Sequence, residues 1–185
     1  YILVKMKIKP HPAVKVAFFH IMVEGPSGAA NNIFRLFHHI DSKKLETILV
    51  GQIENELTAR VKELGIPVFI IPFPPGLDVY DKKLLNLNVL EFFRTLGAVW
   101  KYQLLLVKFF RRTTPDIIWA DNIRTFFSVY AASKFTGCKV IWNIWSEPKG
   151  KVAWLFHRWG LLIADVINLE YTTQGQKLFG DLANY

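Results

Sequence analysis

The stretch VKVAFFHIMVEGPSGAANNIFRLFH, Val14–His38, decides the fold because it places a turn of small residues between an apolar run and an amphipathic segment. The run Val14–Val23 is rich in β-branched and aromatic residues, which predicts a strand buried on both faces of a parallel sheet. Small residues then interrupt the run, and apolar residues recur at helical spacing from Ala29 onward. The stretch therefore predicts a strand, a turn and a helix that open an α/β domain.

The turn between these two elements is a candidate anion site. Gly25, Ser27, Gly28 and Ala29 lead into a helix whose first backbone N–H groups have no partners within the helix and favour negative charge. Neither the three-glycine dinucleotide fingerprint nor the lysine-bearing phosphate loop occurs here. The turn therefore predicts either a place for a phosphate group or a purely structural connection.

Strand and helix patterns alternate along the rest of the chain, and we find no internal repeat. This alternation predicts a Rossmann-like, doubly wound, mainly parallel sheet in a three-layer α/β/α arrangement. The further predicted strands are Leu45–Gly51, Ile66–Pro72, Ile117–Ala120, Lys139–Ile144 and Val166–Leu169. The predicted helices are Glu54–Leu64, Leu90–Arg112, Arg124–Phe135, Val152–Ile163 and a last short one near Thr173.

Acidic residues follow several of the predicted strands. In a doubly wound sheet, ligands bind beyond the carboxyl ends of the strands, so the loops there select Glu24, Asp121, Glu147 and Glu170 for one rim. Asp121 and Glu147 are the candidates for orienting a substrate hydroxyl, because a carboxylate accepts its proton strongly. The alternatives are that Glu147 is a solvated loop residue and that Asp121 caps a helix.

Three other polar residues need an interpretation at this edge. Asn122 is the other candidate helix cap, and Arg124 either binds an anion or faces solvent. His20, in the first strand, is expected to be a hydrogen-bonded residue of the interior or of the rim. No spacing of His, Asp or Glu predicts a metal site, and no Gly-x-Ser-x-Gly nucleophile elbow occurs.

Composition limits the class of protein. The 185 residues, 51% of them hydrophobic, suffice for one well-cored α/β domain. The single Cys138 excludes an internal disulfide and fits a reducing compartment, so we expect a cytoplasmic location. The net charge of +8 predicts an anionic partner. Nucleic acid is not favoured, because the aromatic residues lie in apolar-periodic elements rather than among arginines in loops.

The predicted helix Leu90–Arg112 combines charge with apolar surface. Arg94, Lys101 and Lys108 recur every seven residues and form one narrow stripe, and most of the remaining circumference is apolar. Such a helix is expected to need a large apolar surface against it. It is either a core helix with one solvated edge or a peripheral helix that meets anionic lipid, and its charges exclude a membrane span.

Three phrases carry a resemblance to a known family: VKFFRRTTPDIIWADN at Val107–Asn122, KVIWNIWSEP at Lys139–Pro148 and ADVINLEYTTQGQKLFG at Ala164–Gly180. Together with the small-residue loop after the first strand, they resemble the amino-terminal domain of retaining, two-domain glycosyltransferases of family four, which have the GT-B fold. Relatives often have histidines after the fourth and fifth strands, where this chain has Trp119, Asp121 and Trp145. Some members use an asparagine and a glutamate there, which Asn122 and Glu147 match.

The resemblance implies an acceptor-binding domain that helps to transfer a hexosyl group, with retention of configuration, from a nucleotide sugar to a glycan or lipid-linked acceptor. It implies no metal and no cofactor beyond the nucleotide-sugar donor. The loop with Gly25, Ser27, Gly28 and Ala29 would face the donor diphosphate. The residues that would contact the acceptor are Asn122, Arg124, Asn143 and Trp145.

The resemblance also sets the expected domain organisation. Residues 1–12 are expected to be a disordered or artefactual extension, and residues 13–185 form the domain. The nucleotide-sugar domain of the family is absent from this chain, so we expect the chain to be inactive alone. The alternative to a transferase is a non-catalytic α/β module that binds a phosphorylated small molecule at the same rim.

Overall fold

The computed structural model describes residues 13–20, 28–74, 89–144 and 151–169, and strands alternate with helices throughout these ranges. The strands are β1 (Val14–His20), β2 (Leu45–Gly51), β3 (Val68–Ile70), β4 (Ile117–Ala120), β5 (Lys139–Ile144) and β6 (Val166–Leu169). The helices are α1 (Gly28–His39), α2 (Glu56–Glu63), α3 (Val89–Thr113), α4 (Ile123–Thr136) and α5 (Lys151–Ile163).

The six strands form one parallel sheet in the order β3-β2-β1-β4-β5-β6. The chain builds outward from β1 to β3, crosses back, and continues from β4 to β6 on the other side of β1. The order therefore reverses between β1 and β4, which is the topological switch point where doubly wound folds bind ligands. The predicted Rossmann-like fold is confirmed.

Helices cover the sheet in two layers. Alternate side chains of β1, such as Val16 and Phe18, pack with α1 and α2 in one core cluster. The intervening Ala17 and Phe19 belong to a second cluster with α3, α4 and α5. These two cores explain why the central strands are apolar on both faces.

The predicted boundaries that fall on described residues agree with the structure to within two residues. Helix α2 begins at Glu56 rather than Glu54 because Asn55 is its N-cap, and its side chain accepts from the Thr58 backbone N–H at 3.0 Å. Strand β3 covers only three residues of the predicted seven. The last part of the predicted first strand and the short helix near Thr173 lie outside the described residues.

Among the described residues, helix α3 packs along one side only, so the alternative of a core helix with one solvated edge is wrong for this part of the chain. It buries Tyr102, Leu106 and Phe110 against the sheet and α4. Burial raises the pKa of the Tyr102 hydroxyl. None of the described helices is both long and apolar enough to cross a membrane. The large apolar residues that α3 exposes are Leu90, Phe93, Leu96, Trp100, Leu104 and Leu105.

A buried glutamine fixes α3 against α4. The Gln103 amide donates to the Ser128 carbonyl at 2.7 Å and accepts from the Ala132 N–H at 3.0 Å. Ser128 and Ala132 are four residues apart, so the Gln103 side chain binds the carbonyl and the N–H that a helical i→i+4 hydrogen bond would join. This contact fixes the position of α4 along its axis relative to α3. It therefore also fixes the beginning of α4, which lies beside the end of β4.

Helix α5 approaches the sheet through Gly160. A Cβ added there would lie 2.6 Å from Cζ3 of Trp142, a fully buried ring on β5 that stacks on Phe126. The matched position is Gly97 in α3, where an added Cβ has nothing within 4 Å. The close approach of α5 therefore depends on the missing side chain.

We expect Gly160→Ala to lower the free energy of unfolding by about 1–3 kcal/mol, because the rigid Trp142 ring must move. Gly97→Ala should instead raise it by about 0.5–1 kcal/mol, since alanine restricts the unfolded chain and favours helix. Urea unfolding of both variants measures the difference. Equal effects of the two substitutions would contradict the packing of α5 described above.

Candidate functional site

A histidine and an aspartate meet at the switch point. His20 is the last residue of β1 and Asp121 directly follows β4, and His20 Nδ1 hydrogen-bonds Asp121 Oδ2 although the residues are 101 positions apart in sequence. Both are buried, with His20 5% and Asp121 2% exposed. The two strands pair from Val16–Ile117 to Phe19–Ala120, and the next residue of each strand carries the functional group.

The hydrogen-bond donors around Asp121 determine which nitrogen of His20 carries the proton. Asp121 Oδ1 accepts from the Thr125 hydroxyl at 2.6 Å and from Asn122 Nδ2 at 2.8 Å. Its other oxygen contacts His20, and a carboxylate only accepts hydrogen bonds. In the neutral imidazole, His20 Nδ1 is therefore assigned the ring proton, which leaves a lone pair on Nε2. His20 Nε2 is buried and has no hydrogen-bond partner among the described residues.

Asn122, not Asp121, caps α4. Its side-chain oxygen accepts from the Thr125 N–H at 2.9 Å, while its amide nitrogen donates to Asp121. The alternative that Asp121 is the cap is wrong, because both Asp121 oxygens are used by other partners. Asn122 thus joins the start of α4 to the carboxylate, so one residue contributes to both the helix and the site.

The register extends this site into a polar row across four strands. Ala120 pairs with Trp142, so the next residue of each strand brings Asp121 beside Asn143, and Asn143 pairs with Asn168 of β6. Neighbours in a row lie on the same face of the sheet. We call His20, Asp121, Asn143 and Asn168 the polar row. It lies on the face that carries α1 and α2, because Phe18 and Trp119, two residues earlier, belong to that core.

Asn143 is the most buried asparagine of the row. It is 1% exposed, and its Oδ1 accepts a hydrogen bond from Asn168 Nδ2. Its own Nδ2 has no hydrogen-bond partner among the described residues. Of the acceptor contacts predicted from the resemblance, Asn143 and Asn122 are therefore the two that lie beside the His20–Asp121 pair.

The remaining predicted residues are only partly placed. Gly28 opens α1, and an added Cβ there would have nothing within 4 Å, so the backbone end is open. Arg124 lies half-buried in the first turn of α4. Ala29 lies in α1. The other candidates lie outside the described residues: Glu24, Gly25, Ser27, Trp145, Glu147 and Glu170.

The sequence alone did not predict that His20 hydrogen-bonds Asp121. Trp119, Asp121 and Trp145 occupy the places where relatives of the resembled family have histidines, but β1 brings a ring nitrogen to Asp121 from elsewhere in the chain. A Rossmann-like order makes the first and fourth strands neighbours, but the predicted first strand ran to Val23, so the sequence did not place His20 at a strand end. In the described part of the chain, no three His, Cys, Asp or Glu side chains form a group that could hold a metal ion.

The arrangement suits proton transfer. An imidazole with its proton on Nδ1, directed by a buried carboxylate, has Nε2 free to accept a proton from a hydroxyl. The carboxylate then stabilises the imidazolium that forms. Hydroxyl activation at the carboxyl end of a parallel sheet is therefore the chemistry that these residues support.

Solved structures with the same fold include a putative nucleotide-sugar epimerase, a glycosyltransferase and a protein in complex with UDP. A putative UDP-N-acetylglucosamine 2-epimerase from Listeria monocytogenes matches with a TM-score of 0.61 and 13% identity, over 91% of this chain and 42% of its own. A glycosyltransferase from Rickettsia africae matches with a TM-score of 0.60 and 11% identity, over 92% and 40%. Anabaena HepE in complex with UDP matches with a TM-score of 0.56 and 13% identity, over 92% and 41%.

The TM-scores show a shared fold, and the low identities limit the comparison to the fold. The chain spans about 40% of the length of each neighbour. No family model and no curated protein matches the sequence. The GT-B-type Rossmann-like domain expected from the resemblance is thus present, and membership of family four stays a prediction.

Two asparagine caps offer a matched test of the role of Asn122. Asn122→Ala and Asn55→Ala each remove an N-cap, so we expect each to lower the free energy of unfolding by about 1 kcal/mol. Only Asn122→Ala also removes a donor to Asp121, so only that variant should change the ¹⁵N chemical shifts of the His20 imidazole. Unchanged His20 shifts in Asn122→Ala would show that Asn122 is a helix cap alone.

Proposed function

We propose that this chain is the acceptor-side domain of a glycosyltransferase that moves a sugar from a nucleotide-sugar donor to a hydroxyl of a glycan or lipid-linked acceptor. The observation that carries the proposal is the His20–Asp121 pair, whose Nε2 is without a partner among the described residues, at the switch point of a fold found in glycosyltransferases. In the reaction, the acceptor proton moves to His20 Nε2, the acceptor oxygen bonds to the anomeric carbon, and the bond to the nucleoside diphosphate breaks.

The donor is proposed to bind mainly to a second domain outside this chain, so the chain alone is expected to be inactive. The open backbone at Gly28, where α1 begins, supports the proposal that Gly25, Ser27, Gly28 and Ala29 face the donor diphosphate. No metal or other cofactor is proposed. Asp121 acts on His20, and Glu147 remains the other candidate for orienting the acceptor hydroxyl. The proposed acceptor contacts remain Asn122, Arg124, Asn143 and Trp145.

Two other functions are alternatives to sugar transfer. Epimerisation of a nucleotide sugar requires no acceptor, so dependence of sugar release on an added acceptor separates it from transfer. A non-catalytic module for a phosphorylated small molecule would not need a buried imidazole with an available lone pair. The stereochemistry is a separate question: the resemblance implies retention, whereas a base at the acceptor also fits a single displacement with inversion, and the product anomer decides between them.

We expect His20→Gln to reduce the turnover number about 10²- to 10⁴-fold, because glutamine can still hydrogen-bond Asp121 but cannot take the proton. The assay measures transfer from a panel of radiolabelled nucleotide sugars to membrane lipid extract by the full-length gene product. His38→Gln, at an exposed histidine of α1, is the control and should leave turnover unchanged. Transfer by His20→Gln within twofold of the unsubstituted protein would refute the proposed base.

The domain is further proposed to work peripherally at the inner face of a membrane. Helix α3 exposes Phe93, Leu96 and Trp100 beside its exposed basic stripe, Arg94, Lys101 and Lys108. Because aromatic and aliphatic groups enter the lipid interface while basic groups meet anionic headgroups, this combination fits an anionic bilayer.

Helix α5 extends the same kind of surface. It exposes Trp154, Leu155, Trp159 and Leu162, the last with 84% exposure. The Arg158 guanidinium lies 4.8 Å from the centre of the Trp154 ring, so this helix also combines a cation with an aromatic group. Helices α3 and α5 cover the same face of the sheet, on either side of α4.

We expect Trp100→Ser and Leu162→Ser each to weaken binding to phosphatidylglycerol-containing vesicles about tenfold, since each removes one large apolar side chain from the interface. Lys101→Glu/Lys108→Glu should weaken binding further and reduce its dependence on salt. Vesicle co-sedimentation of the full-length gene product measures both effects. The control is Ile53→Ser, an exposed apolar residue after β2; equal loss of binding in this control would exclude a specific surface.

A further inference from the structure

Two buried polar atoms of the polar row lack hydrogen-bond partners among the described residues: Nε2 of His20 and Nδ2 of Asn143. They lie on one face of the sheet, on β1 and β5, with Asp121 of β4 between them. Buried polar groups are nearly always satisfied in folded proteins, and an unmet one costs about 1–3 kcal/mol. The indole N–H groups of Trp119 and Trp142 also lack partners among the described residues, but they lie earlier in their strands. Only His20 Nε2 and Asn143 Nδ2 lie in the polar row at the carboxyl edge of the sheet, where a ligand can supply the missing partners.

The contacts of Asn143 define which of its atoms is available. Asn168 donates to Asn143 Oδ1, which fixes the orientation of the amide and directs Nδ2 away from β6. Asn168 itself is exposed, so the pair extends from the interior to the surface.

The two available atoms have opposite character. His20 Nε2 is an acceptor because Nδ1 carries the proton, whereas Asn143 Nδ2 is a donor. An anion would satisfy only the donor and a cation only the acceptor, but a hydroxyl group both donates and accepts. His20 and Asn143 are two strands apart, which is about 10 Å between their backbones. One simple alcohol cannot meet both, whereas a sugar ring carries several hydroxyl groups.

We propose that Asn143, held by Asn168, binds a second hydroxyl of the acceptor whose reactive hydroxyl lies at His20. The acceptor group is then a sugar ring, a pyranoside with free hydroxyls, rather than an isolated lipid alcohol or a phosphate. This inference rests on the proposed function and deepens it, since it assigns Asn143 and Asn168 to acceptor recognition and His20 to chemistry. A sugar that lacks the second hydroxyl leaves Asn143 Nδ2 unpaired and is disfavoured for that reason.

The first measurement is the side-chain amide signal of Asn143 in the full-length gene product labelled with ¹⁵N-asparagine. The signal is identified by its loss in Asn143→Leu. The probes are the methyl β-pyranosides of glucose, galactose and mannose, each compared with its fully O-methylated form, which has the same ring but no hydroxyl donors. We expect at least one free glycoside to shift the Asn143 signal and its O-methylated form to leave it unchanged.

The second measurement is transfer to that glycoside. Asn143→Ala and Asn168→Ala should raise the KM for the acceptor about 3- to 10-fold, the contribution of one hydrogen bond, with kcat changed less than twofold. Asn32→Ala, at an exposed asparagine of α1, is the control and should change neither constant. Because Asn168 is exposed, its variant tests the inference even if Asn143→Ala does not fold.

The outcomes separate this inference from the proposed function. No shift of the Asn143 signal with any of the three glycosides overturns the inference, as does an unchanged acceptor KM in Asn168→Ala. A shift at Asn143 together with full transfer by His20→Gln supports the sugar site and refutes the proposed base. A shift that the O-methylated glycosides also cause assigns binding to apolar contact and overturns the inference.

Discussion

The parallel pairing of β1 with β4 is the constraint on which the site depends. These strands are about one hundred residues apart in sequence, and their register from Val16–Ile117 to Phe19–Ala120 brings His20 beside Asp121. A shift of one residue would turn one of these side chains to the opposite face of the sheet. Specific packing on the two faces opposes such a shift, because Phe18 contacts Phe37 of α1 and Phe19 contacts Phe110 of α3, and the shift would exchange them between the two cores.

The polar row shows how buried polar groups divide between stability and function. Three donors from the end of β1 and the start of α4 hydrogen-bond to Asp121. Its carboxylate is therefore held in place with a partner on each oxygen. Asn122 and Gln103 hold α4 where those donors are needed. By contrast, His20 Nε2 and Asn143 Nδ2 are left without partners among the described residues, and they lie in the row where a ligand is proposed to bind.

The two faces of the sheet have different tasks in the proposed function. One face carries the polar row, and the other is covered by α3, α4 and α5, whose outer surfaces expose large apolar residues beside basic ones. The same layer therefore packs the core with residues such as Leu106 and Phe110 and presents Trp100 and Leu162 outward. A membrane on that side would leave the carboxyl edge of the sheet available to an acceptor, which joins the two proposals in one arrangement.

The sequence by itself determined the order of strands and helices and the doubly wound class, because apolar periodicity and turn residues are local properties. It also selected Asp121 and Asn122 as residues at the carboxyl end of a strand, whereas Asn143 was selected only through the family resemblance. Only the tertiary structure decided that His20 is the partner of Asp121, that Asn168 holds Asn143, and that α3 buries one side alone. Each of these depends on strand register or on packing between elements far apart in sequence, which no local pattern encodes.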